Sequence, residues 1–183
     1  MKIAITGAHR VGKTTLAEKL QGVHPDYELV KEPYYELEEL GVAFSEIPDV
    51  DDYIEQLEYS LKQIPISGDN VIFDRCPFDF LAYIQAIDES RNIQLIFNKV
   101  ESIMLKVDLL VFVPIEEPDL ITCHESDLPE LRYQVNEILD SWIIDFSFET
   151  LKVKGTLLNR RDQILGKMSQ MLENKNYTLN QYR

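Results

Sequence analysis

Residues 7–14 read GAHRVGKT; they follow the β-branched run Lys2–Thr6 and lead into the helical stretch TTLAEKLQG. Every fixed position of the pattern G-x-x-x-x-G-K-[ST] is met, in the strand-to-helix setting that the pattern requires. Glycines at this spacing let successive backbone N–H groups curl around an anion, and the helix behind them presents the positive end of its dipole. The implied anion is the phosphate chain of a nucleoside triphosphate. Its cradle is Gly7, Ala8, His9, Arg10, Val11, Gly12, Lys13, Thr14 and Thr15. Lys13 is expected to reach the β- and γ-phosphates, and the Thr14 hydroxyl to ligate Mg²⁺. Gly22 stands where the short helix is expected to end.

A phosphate loop of this kind needs a sheet to hang from. Five short apolar, β-branched runs read as strands: Lys2–Thr6 and residues 27–31, 70–73, 108–113 and 148–153. Helical spacing fills the gaps, with one apolar stripe on Val50, Tyr53, Ile54, Leu57, Leu61 and Ile64 and another from Ile93 to Val107. A third runs from Leu128 through Val135 and Leu139 to Ile143, with Asp127 as its expected N-cap, Glu130 reaching back, and Trp142 in the core. Strands alternating with helices define an α/β class with a mainly parallel sheet covered on both faces. The 183 residues suit one domain, residues 1–183. The rhythm breaks only at residues 114–129, acidic and carrying three prolines, which read as a lid; the lid region extends to about residue 132.

Charge narrows the partners. Eighteen Lys and Arg against 32 Asp and Glu give a formal net charge of −14, which repels nucleic acid and anionic membranes. Cys76 and Cys123 lie far apart without a C-x-x-C or a histidine-rich neighbour, so neither a disulfide framework nor a zinc site is expected. The sequence opens directly on MKIAITG, without the apolar region of a signal peptide, and no apolar run approaches a membrane span; a cytoplasmic location is expected.

Two further strand ends carry chemistry. Glu32 and Pro33 follow the second, and Asp74 and Arg75 follow the third, at the carboxyl edge where open α/β sheets bind ligands. With these residues in view, the chain resembles the nucleoside and nucleotide kinase branch of P-loop proteins over most of its length. Thymidylate kinases carry D-R-Y-x-x-S-x-x-A-Y; Asp74, Arg75, Ala82 and Tyr83 match it, while Cys76 and Asp79 depart. Their loop often holds an Asp-Arg pair, matched here by Arg10, with His9 in place of the acid. Glu32-Pro33 is similar to the Glu-Pro pair of deoxynucleoside kinases. The AAA-type ATPase/kinase family allied to ribosylnicotinamide kinases has D-R-x-x-x-D-x-x-A-Y, which Asp79 also fits.

The resemblance implies a three-layer fold with a five-stranded parallel sheet in the order 2-3-1-4-5. It also implies ATP- and Mg²⁺-dependent phosphoryl transfer to a nucleoside, a nucleoside monophosphate or nicotinamide riboside. Lys13 and Mg²⁺ would neutralise the γ-phosphate, Thr14 and Asp74 would hold the metal, and Glu32 or Asp74 would take the acceptor's proton. Arg75 would steady the acceptor or the phosphate being moved. Kinases of this kind close a lid bearing arginines, yet residues 107–131 contain no Lys or Arg. Arg132 is then either the lid arginine or a solvated helix residue. Arg160 and Arg161 either stack on the nucleotide base or solvate a helix start. Tyr34, Tyr35 and Tyr53 either wall a ring site or pack in the core; His24 and His124 read as surface residues. The implied partners are a nucleoside triphosphate and a small acceptor, and homodimerisation stays open. The rival reading is a slowly hydrolysing nucleotide switch that meets a protein partner; without an N-K-x-D segment it is not of the Ras type.

Overall fold

The computed structural model describes residues 1–119, 121 and 123–181. The first strand, β1 (Lys2–Thr6), lies at the centre of a five-stranded parallel sheet. On one side it pairs with β3 (Val71–Asp74), which pairs with β2 (Glu28–Val30). On the other it pairs with β4 (Leu109–Phe112), which pairs with β5 (Thr150–Lys152). The order is β2-β3-β1-β4-β5, as the resemblance implies. KIAIT, VIFD and LLVF are apolar almost throughout because helices cover both faces of the three central strands, and all of β3 and β4 is buried.

The connections are α1 (Lys13–Val23), α2 (Pro33–Glu39), α3 (Val50–Ile66), α4 (Pro77–Ile87), α5 (Gln94–Met104), α6 (Pro129–Ile143) and α7 (Leu157–Gln181). Asp49 starts α3 by accepting hydrogen bonds from the N–H groups of Asp51 and Asp52, while the Asp52 carboxylate accepts from Asp49 N–H. The innermost helix is α4, buried from Pro77 to Ile84; its Phe78 packs against Phe97, Phe146, Phe148 and Trp142. No helix among the described residues is long and apolar enough to cross a membrane.

Three local expectations change. The fifth strand is shorter than residues 148–153, because Phe148 leaves the ladder to stack on Phe146 at 4.7 Å. Helix α1 runs past Gly22 to Val23 and is closed by His24, whose N–H bonds to the Leu20 carbonyl at 3.0 Å. Asp127 does not cap α6: Leu128, at φ 51°, takes that position ahead of Pro129, and the Asp127 carboxylate turns to Arg10 instead. The β1 strand, with β3 and β4 on its two sides, marks the point where the strand order reverses, and a crevice opens there beyond the carboxyl ends.

Candidate active site

The phosphate loop fills that crevice. Gly7 has φ 150°, and a Cβ there would stand 2.4 Å from the Val113 carbonyl oxygen, so only glycine fits between β1 and β4. Gly12 at φ 88° turns the chain into α1, and Arg10 at φ 53° completes the curl. Lys13 is 5% exposed, and its ammonium donates to the Ala8 carbonyl at 2.6 Å, across the mouth of the loop. Burial, with the Arg75 charge adding to it, lowers the Lys13 pKa to about 8. Thr14 and Thr15 face solvent on the open side.

Asp74 ends β3 beneath this loop and is 3% exposed. Its carboxyl is pushed above the usual carboxylate range by burial, opposed by a hydrogen bond from Thr14. The Asp74 Oδ1 atom is buried without a hydrogen-bond partner. An orphaned carboxylate oxygen beside a threonine hydroxyl is a hard-oxygen set that fits Mg²⁺, which keeps most of its shell for water and phosphate oxygens. Among the described residues no group of three or more His, Cys, Asp or Glu forms a dedicated metal cage.

Arg75 follows in the left-handed region at φ 83°, which points its guanidinium away from the sheet and into the crevice. It makes an ion pair with Glu32 from the start of α2, lies 5.7 Å from the Tyr83 ring centroid, and has Nη1 3.9 Å from Asp79 Oδ1. Lys13, Glu32, Asp74 and Arg75 therefore meet at one edge. Beside them lies a cleft of about 250 Å³. Two stacked ring pairs line it, Tyr53 on Tyr83 at 4.5 Å and Tyr34 on Phe44 at 4.8 Å. Tyr34 and Tyr53 thus stand on its walls, whereas Tyr35 is 53% exposed outside.

The remaining arginines are tied to the loop. Arg132 is 4% exposed, so it is not a solvated helix residue; it donates to the His9 and Arg10 carbonyls at 3.0 and 3.1 Å and grips the Asp119 carboxylate with two nitrogens. That hydrogen bond holds the Asp119 carboxyl below its usual range. Arg160 is buried and does not solvate α7: it donates to the Val11 carbonyl at 2.7 Å and to Glu116 at 2.8 Å, clamping the loop from behind. Arg161 pairs with Asp162 at 2.6 Å. Arg10, half exposed, binds the Asp127 carboxylate at 2.8 and 2.9 Å. His24 is half-buried, 3.9 Å from Asp26, and His124 is exposed at the start of the turn Glu125–Asp127.

Several cleft and loop contacts have weak or no sequence signal. Phe44 lies in a loop without periodicity, and Gln56 is one of three buried polar residues of α3, with Asp52 and Ser60. Asp79 is fully buried and accepts from Gly7 N–H and Cys76 N–H, each at 2.9 Å, a role its place in the D-R-x-x-x-D motif does not disclose.

The fold recurs in solved structures. Deoxyadenosine kinase from M. mycoides, solved with dCMP and dCDP, matches with a TM-score of 0.68 and 18% identity over 93% of this chain and 100% of that one. The NadR protein in complex with NR matches at 0.64 and 17% identity, over 88% of this chain and 48% of that one. Thymidylate kinase from Candida albicans matches at 0.56 and 17% identity, over 95% and 91%. No curated protein sequence matches the chain. The model of the AAA domain family matches residues 2–161, which hold all five strands and the phosphate loop, and the chain belongs to that family.

Proposed function

We propose that the protein is an ATP- and Mg²⁺-dependent kinase that phosphorylates a hydroxyl of a small ring-bearing acceptor. The observation that carries this reading is the aromatic cleft opening beside Lys13, Glu32, Asp74 and Arg75. A nucleotide switch needs the loop but has no use for a second, ring-lined site next to the γ-phosphate position. The solved relatives described as deoxyadenosine kinase, NadR with NR, and thymidylate kinase support the same class.

Charge selects among acceptors. The cleft is lined by three carboxylates, Glu32, Asp52 and Asp127, against two guanidiniums, Arg10 and Arg75. Both guanidiniums already hold a carboxylate, and the His9 pKa, lowered to about 4 mainly by burial, leaves that ring neutral. Among the described residues lining the cleft no cation lacks a carboxylate partner, so a nucleoside or nicotinamide riboside fits better than a monophosphate.

In the reaction the acceptor hydroxyl loses its proton to a carboxylate and its oxygen attacks the γ-phosphorus as the bond to ADP breaks. Glu32 is the base, because Asp74 accepts from Thr14 and would hold Mg²⁺ with it. Thr14 and Asp74 would hold Mg²⁺, which would supply charge neutralisation at the transferring phosphate. Lys13 turns from the Ala8 carbonyl to the phosphates, and Arg75 orients Glu32 through their ion pair. Residues 114–132 act as the lid of a single domain.

The test is ADP release from Mg²⁺-ATP across nucleosides, nicotinamide riboside and the matching monophosphates. Stimulation by an unphosphorylated acceptor, absent in the Lys13→Ala protein, supports the kinase; indifference to every acceptor with ATP still bound supports the switch. A second expected result concerns protons. Phosphate binding replaces the desolvated setting of Lys13 with an anionic partner and raises its pKa, so ATP binding takes up protons near pH 8, where about half of the free protein's Lys13 is neutral. Calorimetry in buffers of different ionisation enthalpy reads the uptake, which fades below about pH 7 as Lys13 becomes protonated before binding.

A further inference from the structure

His9 uses every polar group it has. Its N–H donates to the Tyr83 hydroxyl at 2.7 Å, and its carbonyl accepts from Arg132 Nε at 3.0 Å. Its Nε2 lies against the main-chain carbonyl of Asp127, and its Nδ1 lies 2.7 Å from the Tyr83 hydroxyl. A carbonyl oxygen only accepts, so Nε2 carries the proton, and Nδ1 is left bare to accept the Tyr83 proton. The Tyr83 oxygen in turn accepts the His9 N–H, and the network closes with no group unmatched.

These bonds join the two sides of the cleft. Tyr83 is 1% exposed and stacks on Tyr53 with an interplanar angle of 7°, forming the floor. Asp127, Leu128 and Leu131 form the facing wall, which belongs to the lid and the start of α6. The Arg10 to Asp127 ion pair also spans loop and lid, but the Arg10 side chain is 49% exposed, and such pairs hold weakly in water. The half-buried imidazole instead grips main chain on one side and a buried hydroxyl on the other.

We propose that His9 is a positioning residue that fixes the width of the acceptor cleft by tying its aromatic floor to its lid wall. The assignment of the cleft to the acceptor is the reading given above, and the coupling itself does not depend on it. The side chain thereby sets how tightly an acceptor ring is held, while Lys13 and the loop amides hold the nucleotide.

The experiment compares His9→Ala, His9→Gln and His9→Asn in the full-length chain. A glutamine amide nitrogen falls near Nε2 and restores the donor to Asp127; an asparagine amide oxygen falls near Nδ1 and restores the acceptor for Tyr83. His9→Ala is expected to raise the acceptor KM about tenfold and the ATP KM by less than about threefold, with partial recovery in each conservative variant. Equal rises in both KM values, or no rise in His9→Ala, overturn the proposal. Amide hydrogen exchange over residues 123–131 needs no turnover: it is expected to quicken in the Ala and Asn variants and to stay slow in Gln. Identical exchange in the Gln and Asn variants overturns the proposal even where His9→Ala fails to fold. A wild-type protein that no acceptor stimulates refutes the kinase reading instead, and the exchange comparison then decides the coupling alone.

Discussion

Replacing Lys13 with alanine is expected to lower kcat by about three orders of magnitude and to leave the domain folded. The ammonium is the buried cation of the loop, held by a single carbonyl, that of Ala8. It has no other structural duty among the described contacts. Its effect on stability runs opposite to its effect on rate. The folded pKa of about 8 lies below the unfolded value of 10.5, so between these values the unfolded chain binds more protons and stability rises with pH. At pH 7 the buried charge therefore costs stability, and Lys13→Ala is expected to be at least as stable as the wild type in urea. Its stability also loses the rise between pH 8 and 10.5. Single-turnover phosphoryl transfer and urea unfolding of the same preparation check both halves. An unfolded Lys13→Ala protein would contradict this account of the loop, and retained turnover would remove Lys13 from the chemistry.

The parts of this site that are local in sequence are legible in it. Gly7, Gly12, Lys13 and Thr14 lie within eight positions of one strand-to-helix turn, so spacing alone identifies them. Glu32, Asp74 and Arg75 are legible for a different reason: in a parallel sheet every strand ends at the same edge, so residues just beyond β2 and β3 converge whatever the connections do. Arg160 shows where this reading stops. At a helix start it resembles any solvated arginine, and its inward turn depends on Val11 and Glu116, 149 and 44 positions away. Arg132 is concealed in the same way, since its partners are carbonyls of residues 9 and 10. Asp127 is the reverse case. The local pattern D-L-P-E fits a helix cap, yet the charged partner Arg10, 117 positions distant, takes the carboxylate and leaves Leu128 to start α6. A cap and a bidentate arginine contact draw on the same carboxylate, and here the arginine takes it.

Asp79→Ala is expected to destabilise the fold by about 3–5 kcal/mol, a large share of the 5–15 kcal/mol typical of a domain this size. The carboxylate is fully buried, and each of its oxygens satisfies a buried backbone N–H, that of Gly7 on the phosphate loop and that of Cys76 at the start of α4. It also lies 3.9 Å from the Arg75 guanidinium. Truncation orphans both N–H groups, at about 1–3 kcal/mol each, and leaves Glu32 as the close counter-charge of a buried arginine. Neither segment can relax: Gly7 has no room against Val113, and Arg75 is already in the left-handed region at φ 83°. Asp79→Asn keeps the shape but turns one acceptor into a donor facing an N–H, so it should cost less than alanine while weakening ATP binding, because the loop glycine loses its anchor. Urea midpoints at unchanged slope measure the stabilities, with Asp119→Ala as the comparison; that exposed lid carboxylate should cost about 1 kcal/mol or less. If Asp79→Ala unfolds within about 1 kcal/mol of wild type, the loop is held by Arg132 and Arg160 from outside, and α4 does not anchor it.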